Sequence, residues 1–171
     1  MDLKIKYKSD SSENSSYSES DYSEDNEIFI PGTLLDKNYV LIKKIGSGVY
    51  SSVWLTYEYI KNKFYAVKIE NEDDFEYGLD EIKILNNIAK YKNKYINNIV
   101  DSFIFKKENT EYACIVFNLL AGDLYSLIKE RQYSEGLPVH LVKKIIYQLL
   151  SAISCLHNNL KILHTDIKPE N

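Results

Sequence analysis

Arginine is almost absent from this chain: of 21 basic residues only Arg131 is not a lysine, and 25 acids leave a net charge of −4. Nucleic-acid binding through bulk charge is therefore not expected. The lysine excess accompanies abundant Asn, Ile and Tyr, residue types that share AT-rich codons, so it reads as genome composition, not as a basic surface. Cysteine is scarce too. Cys114 and Cys155 each sit in an apolar stretch, without a CxxC or a histidine at metal spacing. That excludes a disulfide framework and fits two buried thiols of an intracellular protein, cytoplasmic with the nucleus open. No apolar run approaches the roughly 20 residues that cross a bilayer, so no membrane span is expected. The opening Met1-Asp2-Leu3-Lys4 is polar, unlike a secretory signal. What remains, 171 residues with 44% apolar and 27% charged content, is enough for about one globular domain.

The acidity is local. Residues 9–27 hold eight serines and seven acids and no aliphatic side chain. Such a segment buries too little apolar area to offset its ordering entropy and is expected to be disordered. Two readings stay open: serines flanked by acids that take up phosphate or a tail that binds a basic partner, and a merely solvating leader.

Folding signals start at Ile28-Phe29-Ile30 and a Pro31-Gly32 turn. Strands are predicted over Tyr39–Ile45, Ser52–Tyr57 and Phe64–Ile69. Gly46-Ser47-Gly48-Val49-Tyr50-Ser51 separates the first two. Glycines let backbone N–H groups approach phosphate oxygens. A Walker loop would need GxxxxGK[ST], and a dinucleotide fingerprint a third glycine where Ser51 stands, followed by a helix, not a strand. A glycine-rich flap over a nucleotide remains, beside an ordinary hairpin turn.

Lys68 interrupts the apolar strand Ala66-Val67-Lys68, which is costly unless its ammonium meets an anion. A phosphate is one candidate. The other is Glu81, flanking the stripe Leu79, Ile82, Leu85, Ala89 of a helix expected to begin with an Asp73–Glu76 capping box. A solvated Glu81 is the alternative. Two further strands, Val100–Phe105 and Tyr112–Phe117, are predicted around a polar turn, after which the chain leaves the sheet through Asn118, Leu119 and Leu120.

Leu141, Ile145, Leu149, Ile153 and Leu156, widened by Val142, Ile146 and Leu150, predict an amphipathic helix deeply buried on one side. It leads to His164-Thr165-Asp166-Ile167-Lys168-Pro169-Glu170-Asn171. Asp166 has the chemistry to orient an attacking hydroxyl, Lys168 to neutralise a phosphoryl group, and Asn171 to offer an oxygen to Mg²⁺. His164 is expected to pack and hydrogen-bond in support of the loop.

Together these segments resemble the eukaryotic-type protein kinases over roughly residues 39–171. The carriers are Gly46-Ser47-Gly48 with Val53, Ala66-Val67-Lys68, Glu81, and HTDIKPEN at 164–171. Ser51-Ser52-Val53-Trp54-Leu55, Asp80-Glu81-Ile82-Lys83-Ile84-Leu85 and His164-Thr165-Asp166 are closest to the serine/arginine-rich-protein kinases that act on splicing factors. The resemblance implies an α+β fold: a small lobe of antiparallel sheet plus one helix over 28–120, then the start of a large lobe over 121–171, with residues 1–27 as a tail. It implies ATP and Mg²⁺ as cofactors and a protein Ser/Thr hydroxyl as acceptor, with no nucleic acid or membrane partner. Ile45, Val53, Ala66, Phe117, Leu119 and Leu120 would line the adenine site. Gly46, Ser47, Gly48, Val49, Tyr50, Ser51 and Ser52 would cover the phosphates. Lys68 paired with Glu81, Asp166 and Lys168 would be catalytic, and Asn171 a magnesium ligand. Thr165 stands where most kinases have an arginine that pairs with a phosphorylated activation loop, which argues against that switch. No DFG follows the loop, so the expectation is a fragment, a relic or half of a split enzyme, inactive alone. A non-catalytic nucleotide- or partner-binding module is the alternative.

Overall fold

The computed structural model describes residues 28–36 and 38–171. The acidic tail expected over 1–27 lies outside them.

Six strands form one antiparallel sheet: β1 (Leu34–Leu35), β2 (Tyr39–Ser47), β3 (Ser51–Glu58), β4 (Lys63–Glu70), β5 (Ile99–Lys107) and β6 (Thr110–Asn118), in the order β1-β2-β3-β4-β6-β5. Alternation along β4 sets the two faces. Tyr65, Val67 and Ile69 are buried with Leu35, Tyr39, Leu41, Trp54, Tyr112, Cys114 and Val116 in one core, onto which Phe29, Phe103 and Phe105 pack. Ala66, Lys68 and Glu70 point the other way, because side chains alternate with period two.

Helix α1 (Phe75–Ala89) lies on that second face. Its contact point is Gly78. A Cβ there would stand 2.6 Å from Ala113 Cβ and 2.7 Å from Glu70 Cγ, so only glycine allows this approach. The expected capping box is not formed. A 3-10 turn over Glu72–Asp74 precedes the helix, whose N-cap is Asp74 with no side-chain cap bond. Spending Asp73 inside that turn takes it out of capping position.

After β6 come α2 (Leu124–Lys129) and α3 (Val139–Ser154), the latter prolonged by a π-helical turn, Cys155–Leu160, that ends on Lys161 in the left-handed region. Few links tie these helices to the sheet half. Asn93 Nδ2 donates to Ser151 O at 3.3 Å, Tyr91 Oη to Asn159 O at 3.4 Å, and Tyr95 meets Tyr147 edge-on.

Two expectations about the last helix need correcting. Its apolar side is not deeply buried: only Ala152 within α3 is, while Val142, Ile146 and Leu150 are exposed, because no described element packs against them. Moreover, Val139–Leu160 is one 22-residue helical stretch, long and apolar enough by length and composition to cross a membrane. The π-helical turn supplies the extra length. Lys143 and Lys144 stand near the start of the stretch, beside the exposed Val142 and Ile146.

Candidate active site

The loop between β2 and β3 closes tightly. Gly46 pairs with Val53 and Ser47 with Ser52 in the ladder, and Gly48 N donates to Ser51 O at 2.9 Å. Neither Gly46 nor Gly48 has a positive φ. A Cβ would lie 3.5 Å from Val53 Cβ at the first and 3.8 Å from Ser51 O at the second, ordinary contacts. The hairpin itself does not demand glycine here. What the missing side chains leave open is approach to the loop backbone, which suits a phosphate. The tip is tied down by a residue that the sequence reading missed: Asn71 donates from its backbone to Tyr50 O and from Nδ2 to Val49 O, both at 2.8 Å. Val49 and Tyr50 project into solvent.

Lys68 lies beneath this loop in register with Val53, one strand over. Its ammonium touches two carboxylates, Glu81 Oε2 on α1 at 2.5 Å and Glu70 Oε1 on its own strand at 2.7 Å. Sequence reasoning named Glu81 and missed Glu70, although Glu70 is two residues from Lys68 and so on the same face. Burial alone would favour neutral Lys68, yet the neighbouring carboxylates of Glu70 and then Glu81 raise its pKa on balance. Burial pushes the Glu70 carboxyl upward against the pull of Lys68. Only the Glu81 contact has hydrogen-bond geometry, Glu70 Oε1 being a close ion-pair partner without one, so the ammonium keeps N–H capacity for a phosphate oxygen.

Beside it, Ala66 is in register with Phe117 on β6 and Leu55 on β3. Ala66, Val53 and Phe117 are half-buried, while Ile45, Leu119 and Leu120 are exposed. The chain leaves the sheet after Asn118.

The second cluster forms on the loop after α3. Asp166 Oδ2 accepts from Lys168 Nζ at 2.9 Å and from Asn171 Nδ2 at 2.9 Å; Asn171 Nδ2 also donates to Asp166 O at 2.8 Å. Lys168 first, then Asn171, holds the Asp166 carboxyl below the usual aspartate range. Asn171 Oδ1 is left without a partner among the described residues, the atom a hard cation would take. No group of three or more His, Cys, Asp or Glu able to hold a metal occurs among the described residues. In nucleotide sites magnesium usually keeps phosphate oxygens and water among its ligands.

His164 supports the loop by hydrogen bonds, not by packing, since it is exposed. Its carbonyl accepts from Asp166 N at 2.9 Å, and its Nδ1 receives the same N–H at 3.4 Å. Thr165 between them has φ +60. A β-branched residue in that region stores about 1–3 kcal/mol of strain, a feature that concentrates at functional sites. Pro169 O accepts from Tyr125 N at 2.9 Å, which fastens the loop to the start of α2. Among the described residues no hydrogen bond or ion pair joins the Lys68 cluster to the Asp166 cluster.

Comparison with known proteins bears on family and fold. Residues 39–171 match the family model described as protein kinase domain. A protein of Acanthamoeba polyphaga mimivirus named as a serine/threonine-protein kinase is 42% identical over 156 residues, covering 88% of this chain and 29% of its own length. Protein kinase dsk1 of Schizosaccharomyces pombe is 35% identical over 84% of this chain and 28% of its own length, and mouse SRSF protein kinase 3 is 35% identical over 82% and 26%. The chain thus spans less than a third of these curated relatives. A crystal structure of a kinase domain superposes with a TM-score of 0.69 at 26% identity, covering 84% of this chain and 41% of that one.

Proposed function

This chain belongs to the protein kinase family, and on that premise we propose that its site serves transfer of the ATP γ-phosphoryl group to a serine or threonine hydroxyl of a protein. The observation that carries the reading is the pair of charge clusters. One is an ammonium held by carboxylates under a glycine loop; the other is an aspartate with its lysine and asparagine on a strained loop.

ATP and Mg²⁺ are the cofactors this family generally uses. When bound, they supply the phosphoryl group and the charge that offsets it. The chain's own residues do the rest. The backbone of Gly46 to Ser51 receives phosphate oxygens, Lys68 gives an N–H to one of them, and Glu81 and Glu70 keep that ammonium aimed. Ile45, Val53, Ala66, Phe117, Leu119 and Leu120 flank the base. Asn171 Oδ1 is oriented for the cation because its Nδ2 is committed to Asp166. Asp166, kept ionised by Lys168, accepts the hydrogen bond of the acceptor hydroxyl and orients it for in-line attack. Lys168 then faces the charge that develops on the transferring group.

Likeness to mouse SRSF protein kinase 3 supports a serine in a Ser/Arg-rich segment as acceptor. An intracellular setting, cytoplasmic or nuclear, belongs to the same proposal, and the buried free thiols of Cys114 and Cys155 suit a reducing compartment. A basic partner for acidic residues 9–27 is part of the same proposal.

The test is transfer of label from γ-labelled ATP to a Ser-Arg repeat peptide, for the full chain and for Asp166→Ala. The chain alone is expected to transfer little; whatever transfer it shows should fall at least about 10²-fold in the variant, and transfer that the variant leaves unchanged overturns the role given to Asp166. Thermal stabilisation by ATP without transfer would instead favour a nucleotide-binding module that does no chemistry.

A further inference from the structure

Glu70 is not needed for a simple lysine–glutamate pair, yet the fold goes to some length to hold it. It is 4% exposed, against 36% for the Glu81 side chain. It occupies the space under α1 that the absent side chain of Gly78 leaves: a Cβ at Gly78 would come within 2.7 Å of Glu70 Cγ. Among the described residues Lys68, 2.7 Å away, is its one cationic partner. A carboxylate taken from water is costly unless it is paired. Breaking the Lys68–Glu70 contact would strand Glu70, whereas breaking the Lys68–Glu81 contact returns a partly exposed carboxylate to solvent.

We propose that Glu70 is a positioning residue, a buried second counter-ion that keeps the Lys68 ammonium seated when Glu81 is withdrawn. The location of Lys68 then depends on its own strand and not only on helix α1. A displacement of α1 that removes Glu81 leaves the lysine in place with one more free N–H. The value of this arrangement for phosphate binding rests on the function proposed above; the ion-pair hierarchy does not. The titratable groups facing Glu70 are Lys68 on β4 and Glu81 on α1; β6 presents Ala113 and β3 presents Ser51 in register.

The experiment is an NMR titration of Lys68, through its Cε and Nζ signals, in the full chain as wild type, Glu70→Gln and Glu81→Gln. The raised Lys68 pKa should fall further in Glu70→Gln, by about one unit or more, than in Glu81→Gln. A larger fall in Glu81→Gln, or none in Glu70→Gln, overturns the proposal. Should Glu70→Gln fail to fold, the coupling is read from the other side in Lys68→Met. There the Glu70 carboxyl carbon should titrate at higher pH than in wild type, and an unchanged midpoint overturns the proposal. Affinity for ADP reads the functional part. Glu81→Gln alone should lose about threefold, and Glu70→Gln/Glu81→Gln at least tenfold more, because either carboxylate suffices to seat the lysine. Equal losses in the single and double variants contradict redundancy. No ADP binding in any form, with the Lys68 titration as expected, would overturn the nucleotide-site reading and leave the ion-pair hierarchy supported.

Discussion

A single residue, Asn71, ties down the tip of the glycine loop, with one bond from its backbone and one from its side chain. Its two bonds reach the loop tip at Val49 and Tyr50 from the end of β4, immediately after Glu70. One strand end therefore supplies both the latch of the loop and a counter-ion of the lysine below it. An exposed hydrogen bond contributes about 0.5–1.5 kcal/mol net, so Asn71→Ala should speed amide exchange at Gly48 about 2- to 10-fold. Unchanged exchange would show that the loop holds itself. A second residue-scale expectation concerns Asp123, the N-cap of α2, which accepts from Ser126 N at 2.6 Å and from Ser126 Oγ at 3.0 Å. These bonds lower its pKa below the ordinary 3.8. A depressed carboxyl stabilises the fold above its unfolded value, and that contribution disappears as the pH falls through the lower folded value. Protection of the Ser126 amide should accordingly be lost only as the pH falls below the ordinary 3.8 through the lower folded value in wild type, and become independent of pH in Asp123→Asn, which still caps.

At the scale of elements, the seating of α1 on the sheet turns on Gly78. Helix propensity alone would make Gly78→Ala stabilising by about 1 kcal/mol. The added methyl would meet Ala113 Cβ at 2.6 Å, an atom fixed to the backbone of a central strand. Overpacking of that kind costs about 1–3 kcal/mol and should win. Denaturant unfolding should show Gly78→Ala less stable than wild type, and a more stable variant would mean that α1 sits farther out. Strands were legible in the sequence because alternation has a short range: β3, β4 and β6 each extend only a residue or two past their predicted bounds. Lys68 stood out because a charge in an apolar strand needs a partner. The capping box misled because Asp73 at the right spacing says nothing about the turn in which it will be used. Glu70, Asn71 and Gly78 escaped notice since their importance comes from one meeting point of β4, α1 and the glycine loop. The two-residue β1 and the short α2 carry too little periodicity to announce themselves.

In the molecule as a whole, a well-packed sheet core contrasts with a helix α3 whose Val142, Ile146, Tyr147 and Leu150 line an open apolar groove together with Val139 and Lys143. Sequence periodicity showed that α3 has an apolar stripe; it could not show which part of the stripe would find a partner. The sheet half and the helical half each bring one charge cluster, and the links between them run through Tyr91, Asn93 and Tyr95. The central claim is that Lys68 and Asp166 serve one nucleotide. Paramagnetic relaxation by Mn²⁺ with ATP tests it most directly, read on the backbone amides of the full chain. At one equivalent of Mn²⁺ and ATP, the amides around Gly46–Ser51 and Val67–Ile69 and those of Asp166–Asn171 should broaden together along a single binding curve. Broadening confined to one of the two groups, or two curves of different affinity, would contradict the account.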